Sequence, residues 1–181
     1  GLGRRVLDRP LEEARCLVIG GGAIGLGAAL CLIAQGAREV HLSEPHPERR
    51  AAAGRAAAQR QHDPAAGEAP QDCDLVIDGV GYEATRAAAC AAARTGGAIV
   101  HIGHGSASGG VDVRKLTLQE IAFLGAYTYT AEDFRQTAQA IFDGRLGALD
   151  WPEIRPLSEG ARAFDDIKAG RAAAPKIILT P

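Results

Sequence analysis

The sequence predicts an α/β fold built on a doubly wound, parallel sheet of six strands. Short apolar runs such as 16–19 and 75–77 are bounded by charged residues and glycines, which is typical of parallel strands buried on both faces. Helix-prone segments separate these runs, and strands that alternate with helices form a parallel sheet covered on both sides. The 181 residues suffice for one such domain.

The predicted elements follow one another in a regular order. Strands are expected at 16–19, 40–43, 75–78, 98–102 and 121–126, and helices at 24–35, 47–59, 83–94 and after the capping residue Thr130. The segment 60–72 should hold the third strand but has no apolar cluster, so we expect that strand to be very short or an edge.

Glycines and apolar spacing set further expectations for the helices. Gly36 is expected to end the first helix, and Gly96-Gly97 the helix at 83–94. Phe134, Ala138, Ile141 and Phe142 recur at helical spacing and predict the apolar stripe of the helix after Thr130.

Charge and composition argue against several classes of function. The net charge is −2 with both signs interspersed, so we expect no nucleic-acid partner, and no apolar run reaches the ~20 residues that span a membrane. The four cysteines form no CxxC pair and are expected to be buried, reduced thiols of a cytoplasmic protein. The chain starts at Gly1 and has no methionine, so we expect a fragment, a processed chain or an expressed piece of a longer protein.

A glycine-rich turn carries the clearest functional signal. Gly20-x-Gly22-x-x-Gly25 lies between a predicted strand and a predicted helix, and Glu44 follows the last glycine by 19 residues. Gly20 permits a tight turn, Gly22 lets a pyrophosphate approach the backbone, and Gly25 lets the helix pack close to the sheet. The N–H groups around Ala23 and Ile24 would face the anion. An accidental glycine loop followed by a surface glutamate is the alternative.

Glu44 bears on the choice of dinucleotide. At the end of the second strand its carboxylate would accept hydrogen bonds from the adenosine ribose and repel a 2′-phosphate, which favours NAD(H) over NADP(H). Arg49 and Arg50 weaken this prediction because arginines here can bind a 2′-phosphate; the alternative is that they are solvated helix residues near Glu48.

Two more loops follow predicted strands and could border the same ligand. They contain Gly79-Val80-Gly81 and Ile102-Gly103-His104-Gly105, although their glycines could equally serve only as turns. We expect His101 and His104 to be ordinary strand-end residues without a catalytic role, since neither has a partner nearby in sequence.

As an ordered set, these segments resemble the zinc-dependent medium-chain dehydrogenases, in particular the alcohol, polyol and threonine dehydrogenase branch. The similarity lies in residues 18–26, 43–45, 74–81, 96–103, 119–125 and 174–181. It implies a Rossmann cofactor-binding domain at 13–150, a remnant of an interdomain helix at 1–12, and a C-terminal segment at 151–181 with a helix at 159–170 and a strand at 176–179. That segment would return to a GroES-like catalytic domain, which supplies the zinc ligands and is absent from this sequence.

The resemblance also implies roles for individual residues. No catalytic or metal-binding residue is expected in this chain. The pyrophosphate of NAD would be held by Gly20, Gly22, Ala23, Ile24 and Gly25, its adenosine ribose by Glu44 and its adenine by Arg49. The adenosine and nicotinamide sides would be bordered by Val80, Gly81, Ile102 and Gly103, and the carboxamide by Ala126 and Tyr127.

The predicted function is therefore the NAD(H)-binding domain of a zinc-type alcohol or polyol dehydrogenase. The full enzyme would pass hydride from a zinc-bound alcohol to NAD, and this chain alone would be inactive. A non-catalytic NAD-sensing module is the alternative, and a structural domain without cofactor is a third possibility.

We expect a homodimer through the strand at 121–126. Apolar residues of the C-terminal segment are expected to be exposed or covered by a neighbouring chain, namely Phe164, Ile167, Ile177, Ile178 and Leu179.

Overall fold

The computed structural model describes residues 2–57, 60–67 and 69–181. Its central sheet has six strands in the order β3-β2-β1-β4-β5-β6, and every neighbouring pair is parallel. The strands are β1 Arg15–Ile19, β2 Glu39–Ser43, β3 Arg60–His62, β4 Cys73–Asp78, β5 Ala93–His101 and β6 Ala122–Gly125. The predicted fold class is confirmed.

Helices cover both faces of this sheet. They are α1 Leu2–Val6, α2 Ala23–Ala34, α3 Pro47–Ala57, α4 Glu83–Ala92, α5 Val113–Leu118 and α6 Ala131–Phe142. Alternate residues of β1 point to opposite faces, so Val18 packs with α2 and α3 on one side while Leu17 packs with α4 on the other. This is why the inner strands read as continuous apolar runs.

The third strand is both very short and an edge, as expected from its lack of apolar residues. β3 has three residues and pairs only with β2 among the described strands, with Ser43 opposite His62. Residues 58 and 59 of the helix predicted at 47–59 lie outside the described residues, as does residue 68 of the 60–72 segment.

The end of the helix predicted at 83–94 is wrong. α4 ends at Ala92, β5 begins at Ala93, and the pair Gly96-Gly97 lies inside the strand. The register shifts there, because Ala93 pairs with Cys73 whereas Ala98 pairs with Leu75. The glycines allow this bulge: Gly96 has a φ of +69°, and a Cβ on Gly97 would lie 3.0 to 3.2 Å from three backbone oxygens.

The predicted apolar stripe of α6 is largely exposed. Its N-terminus forms as expected, since the Thr130 hydroxyl accepts the Asp133 N–H at 3.1 Å and the Asp133 carboxylate accepts the Thr130 N–H. Phe134, Ile141 and Phe142 are exposed, however, and the buried residue of the helix is Ala140. The helix therefore packs through small side chains and leaves its large apolar ones in solvent.

The C-terminal segment forms a small unit of its own. β7 Glu153–Pro156 and β8 Ile177–Thr180 pair in parallel, and α7 Gly160–Lys168 lies between them in sequence. Phe164, Ile167 and Ile178 are exposed, which confirms the expected apolar surface, while Ile177 and Leu179 are half-buried. β7 was not predicted; its pattern is interrupted by charged residues.

The cysteines and the helices leave two further observations. All four cysteines are free thiols, three of them buried and Cys31 half-buried. Within the described ranges, no helix is both long enough and apolar enough to cross a membrane.

Candidate functional site

The carboxyl ends of the parallel strands meet along one edge of the sheet, where the order reverses between β1 and β4. Backbone hydrogen bonds tie the loops at this edge to their neighbours: Gly20 N–H donates to Ser43 O at 2.8 Å, Gly79 N–H to Ile19 O at 3.0 Å, and Ala126 N–H to His101 O at 2.9 Å. In open α/β sheets this switch point is where ligands bind.

In the glycine loop after β1, two glycines are required by the backbone and its close contacts, and a third, Gly22, has open space beside it. Gly20 has a φ of +100°, and a Cβ on Gly25 would lie 1.8 Å from Gly20 O, so the fold itself requires both glycines. Apart from Gly22 itself and its two chain neighbours, no described residue has an atom within 4 Å of the place a Cβ on Gly22 would take. Gly22 is the N-cap of α2, whose first N–H groups lack intrahelical acceptors. The open side of Gly22 thus faces a helix N-terminus suited to an anion.

Glu44 closes the loop from the end of β2. Its side chain is buried, with the residue 5% exposed, and its two oxygens accept the N–H groups of Gly21 at 2.7 Å and His46 at 2.9 Å. A carboxylate has about four acceptor positions, so both oxygens retain capacity for a ligand hydroxyl. The carboxylate is therefore fixed against the glycine loop.

Asp78 is a site residue that the sequence reasoning missed. It ends β4 fully buried, and its Oδ1 accepts the N–H groups of Val80 at 3.0 Å and Gly81 at 2.9 Å. Its Oδ2 accepts the Thr85 hydroxyl at 3.1 Å. The carboxylate thus shapes the loop after β4 and pins it to α4. The signal was available: an acid that ends a buried strand just before Gly-x-Gly.

The loops after β4 and β5 lie against each other through glycines. Gly81 has a φ of +79°, and a Cβ there would be 2.2 Å from Gly103 O. Val80 also lies against the first loop, with its Cγ2 2.5 Å from the Cβ position of Gly20. The structure therefore brings together Gly20, Val80, Gly81 and Gly103, as predicted from strand order.

Arg86 is the second residue the sequence reasoning missed. This α4 residue is 4% exposed and donates to the carbonyls of Gly81 at 2.8 Å and Ser106 at 3.0 Å. It also donates to the carbonyls of Gly109 and Ser108 and to the Ser106 hydroxyl. One guanidinium thus connects the loop after β4 with the long loop after β5. No local pattern marks it, because its acceptors lie up to 23 residues away.

Ile102, Ala126 and Tyr127 mark the far end of the same edge. All three line a groove of about 1070 Å³ whose other lining residues come largely from α1, α2 and α6, and the residues of the glycine loop do not line it. Tyr127 is exposed, and its ring meets the His104 ring edge-on with centroids 6.2 Å apart. His101 Nε2 is 3.9 Å from Asp78 Oδ2, too far for a hydrogen bond.

The two arginines of α3 separate. Arg49 Nε donates to Ala172 O at 3.0 Å and thereby ties α3 to the C-terminal segment. Arg50 Nη1 donates to Glu44 O at 2.6 Å and so lies directly beside the end of β2. Neither is a freely solvated helix residue. The arginine at the strand end is Arg50, whereas Arg49 had been expected to border the adenine.

No cluster of three or more His, Cys, Asp or Glu side chains suited to a metal ion occurs within the described residues. Among the ionisable groups at the strand-end edge, Glu44, Asp78, Arg86 and Arg50 make contacts mainly with backbone groups. The edge thus presents N–H groups and carboxylates side by side, a combination suited to a polar ligand.

Comparison with known proteins identifies the family. The family model described as zinc-binding dehydrogenase matches residues 23–143. A probable diacetyl reductase [(R)-acetoin forming] of Saccharomyces cerevisiae is 30% identical over 189 residues, which cover 91% of this chain and 44% of that protein. The chain therefore spans less than half the length of this relative.

Solved structures share the fold. Acetophenone reductase of Geotrichum candidum in complex with NAD superposes with a TM-score of 0.84 at 21% identity, over 98% of this chain and 51% of that one. A putative zinc-binding dehydrogenase of Sinorhizobium meliloti bound to NADP gives 0.80 at 24% identity, over 99% of this chain and 55% of that one. With its family model matched over most of its length, the chain belongs to the zinc-binding dehydrogenase family.

Proposed function

We propose that this chain is the NAD(H)-binding domain of a zinc-type alcohol or polyol dehydrogenase. The observation that carries the proposal is the open side of Gly22 at the N-terminus of α2, with the buried Glu44 carboxylate beside it. Family membership and the names of the relatives, a diacetyl reductase and an NAD-bound acetophenone reductase, support the same reading.

The binding steps follow from the chain's own groups. The N–H groups of Ala23 and Ile24 donate to the pyrophosphate, which the missing side chain of Gly22 lets approach the backbone. Glu44 accepts the ribose hydroxyls with the acceptor positions that Gly21 and His46 leave free. When bound, the nicotinamide accepts or returns a hydride as alcohol and carbonyl compound interconvert.

The remaining predicted contacts extend this ligand along the strand ends. Val80-Gly81 and Ile102-Gly103 border its adenosine and nicotinamide sides, and Ala126-Tyr127 contact the carboxamide. Asp78 and Arg86 act indirectly by holding those loops in place. Arg49 contacts the adenine only if it leaves Ala172 O.

Zinc does not fit the described residues, since they bring no three metal-ligating side chains together. We therefore derive no step through a metal in this chain, and we propose that the isolated chain binds NADH without oxidising alcohols. Residues 13–150 form the binding domain in this proposal. The segments 1–12 and 151–181 connect it to a catalytic domain, for which the exposed Phe164, Ile167 and Ile178 provide an apolar surface.

Assembly and location complete the proposal. β6 is an outer strand of the sheet, and Phe123 on it is exposed, which supports a homodimer through residues 121–126. Light scattering that finds only monomer at high concentration would contradict this. Free buried thiols support a reducing, cytoplasmic location, which fractionation of the host cells tests.

The glycine loop offers a matched test, Gly22→Ala against Gly27→Ala. Outside the adjoining stretch of its own chain, neither added methyl meets a described atom within 4 Å, so neither substitution should disturb the fold. Only Gly22→Ala places its methyl at the proposed pyrophosphate. Displacing the anion from charge-assisted N–H contacts costs about 1.5–3 kcal/mol, so we expect about 10- to 100-fold weaker NADH binding by fluorescence titration. Gly27→Ala should bind as the parent chain does.

Two results would contradict the proposal. If the parent chain does not bind NADH, the proposed function is refuted. Equal NADH affinities for Gly22→Ala and Gly27→Ala would show that the glycine loop is not part of the binding site.

A further inference from the structure

Arg50 lies where a cation would decide between two dinucleotides. Its Nη1 donates to Glu44 O at 2.6 Å and to Pro45 O at 3.1 Å, so the guanidinium is held at the carboxyl end of β2. The Glu44 side chain leaves the same backbone position toward the glycine loop. The Arg50 guanidinium and the Glu44 side chain therefore both lie at the strand end where the proposed ribose, and a phosphate on it, would be held.

Asp63 already occupies the guanidinium. Its Oδ2 is 3.1 Å from Arg50 Nη2, and the two side chains are 22% (Arg50) and 31% (Asp63) exposed. Asp63 is itself fixed, because its Oδ1 accepts the Ala65 N–H at 2.9 Å and it caps the short helix Pro64–Ala66. The strand before it is held as well, since Glu44 N–H donates to His62 O at 3.1 Å.

We propose that Asp63 is a positioning residue that sets the preference for NAD(H) over NADP(H) by keeping Arg50 from a 2′-phosphate. This inference rests on the proposed function and adds a second determinant to Glu44. Glu44 repels the 2′-phosphate directly, whereas Asp63 occupies the cation whose guanidinium donates to the Glu44 carbonyl.

The chemistry of the two groups supports this division. An arginine free of a carboxylate binds phosphate through two parallel N–H bonds, which is why arginines near this position accommodate NADP. Paired with Asp63, Arg50 has its charge balanced and part of its donor fork taken. The sequence left open whether Arg50 binds a 2′-phosphate or is a solvated helix residue near Glu48. In this proposal its ion pair with Asp63 favours NAD(H) over NADP(H).

The test is the ratio of the NADPH and NADH dissociation constants for the parent chain and for Asp63→Asn. The amide keeps the size of the side chain and the oxygen that accepts the Ala65 N–H but gives up the charge. We expect NADPH binding to strengthen relative to NADH by about three- to tenfold, and the gain to shrink as salt is raised. In a Glu44→Gln background the same change should move the ratio further in favour of NADPH.

Two controls separate this role from a structural one. Asp143→Asn makes the same chemical change at the exposed Asp143–Arg145 pair, 3.4 Å apart and remote from the site, and should leave the ratio unchanged. Adding Arg50→Gln to Asp63→Asn should abolish the gain, because the released cation is then missing. If Asp63→Asn only loosened β3, it would weaken the binding of NADH and NADPH alike, and the double variant would show the same weakening.

The outcomes are distinct. NADH binding by the parent chain with an unchanged ratio in Asp63→Asn overturns this inference and leaves the proposed function standing. Failure of the parent chain to bind either dinucleotide overturns both. A gain that persists when Arg50 is replaced also refutes the inference, since the effect would not pass through Arg50.

Discussion

Replacing Arg86 by methionine tests whether one buried guanidinium holds the loops that border the strand ends. Methionine keeps much of the apolar stem and removes every donor. Arg86 donates to the Gly81 carbonyl in a buried position and to four oxygens of residues 106–109. A hydrogen bond from a charged group contributes about 1.5–3 kcal/mol, and the loop carbonyls that reach water recover part of that loss.

We therefore expect Arg86→Met to lower the free energy of unfolding by about 2–4 kcal/mol. For a chain of this size that corresponds to a fall of about 4–15 °C in the midpoint of thermal unfolding. Proteolysis should also cut at residues 103–110 in the variant before the parent chain is cut.

The matched control is Arg135→Met on α6. Arg135 is 68% exposed by side chain and pairs with Glu132 at 2.9 Å on the same helix, so its loss should leave the midpoint within about 2 °C. If Arg86→Met melts as Arg135→Met does, the loops do not depend on the buried guanidinium, and the reasoning is refuted.

Two further predictions concern stability. Gly25→Ala should lower the free energy of unfolding by about 2–4 kcal/mol, because its methyl would lie 1.8 Å from Gly20 O. Gly27→Ala should raise that free energy by about 0.5–1 kcal/mol through helix propensity. Equal stabilities of the two variants in urea unfolding would contradict the packing argument. Burial raises the pKa of the Cys16 thiol from 9.0 to about 12, so its contribution to stability is fully present below pH 9 and is lost as pH rises toward 12. The unfolding free energy of the parent chain should thus fall more steeply above pH 9 than that of Cys16→Ala. Equal slopes of unfolding free energy against pH would refute this effect of the Cys16 thiol.

Local patterns were enough for the main elements of the fold. Apolar runs such as 16–19 and 75–77 identified inner strands because a strand covered on both faces has no polar side. The glycine loop and Glu44 were predicted from spacing, and the structure brings them into contact through the Gly21 N–H. Errors arose where a glycine pair had two uses: Gly96-Gly97 carries a bulge in β5 instead of ending α4.

The sequence by itself determined the α/β class, the alternation of strands and helices along the chain, and the glycine loop with its acid, since each depends on neighbours within one strand–turn–helix unit. Only the tertiary structure decided what the polar residues do. Arg49 meets a carbonyl 123 residues away, and Asp78 and Arg86 act on loops that the sheet order brings to one edge. The pairing of Arg50 with Asp63 likewise depends on β3 lying beside β2. Short-range periodicity carries no information about such contacts, because the hydrogen bonds that fix them form only after the sheet has assembled.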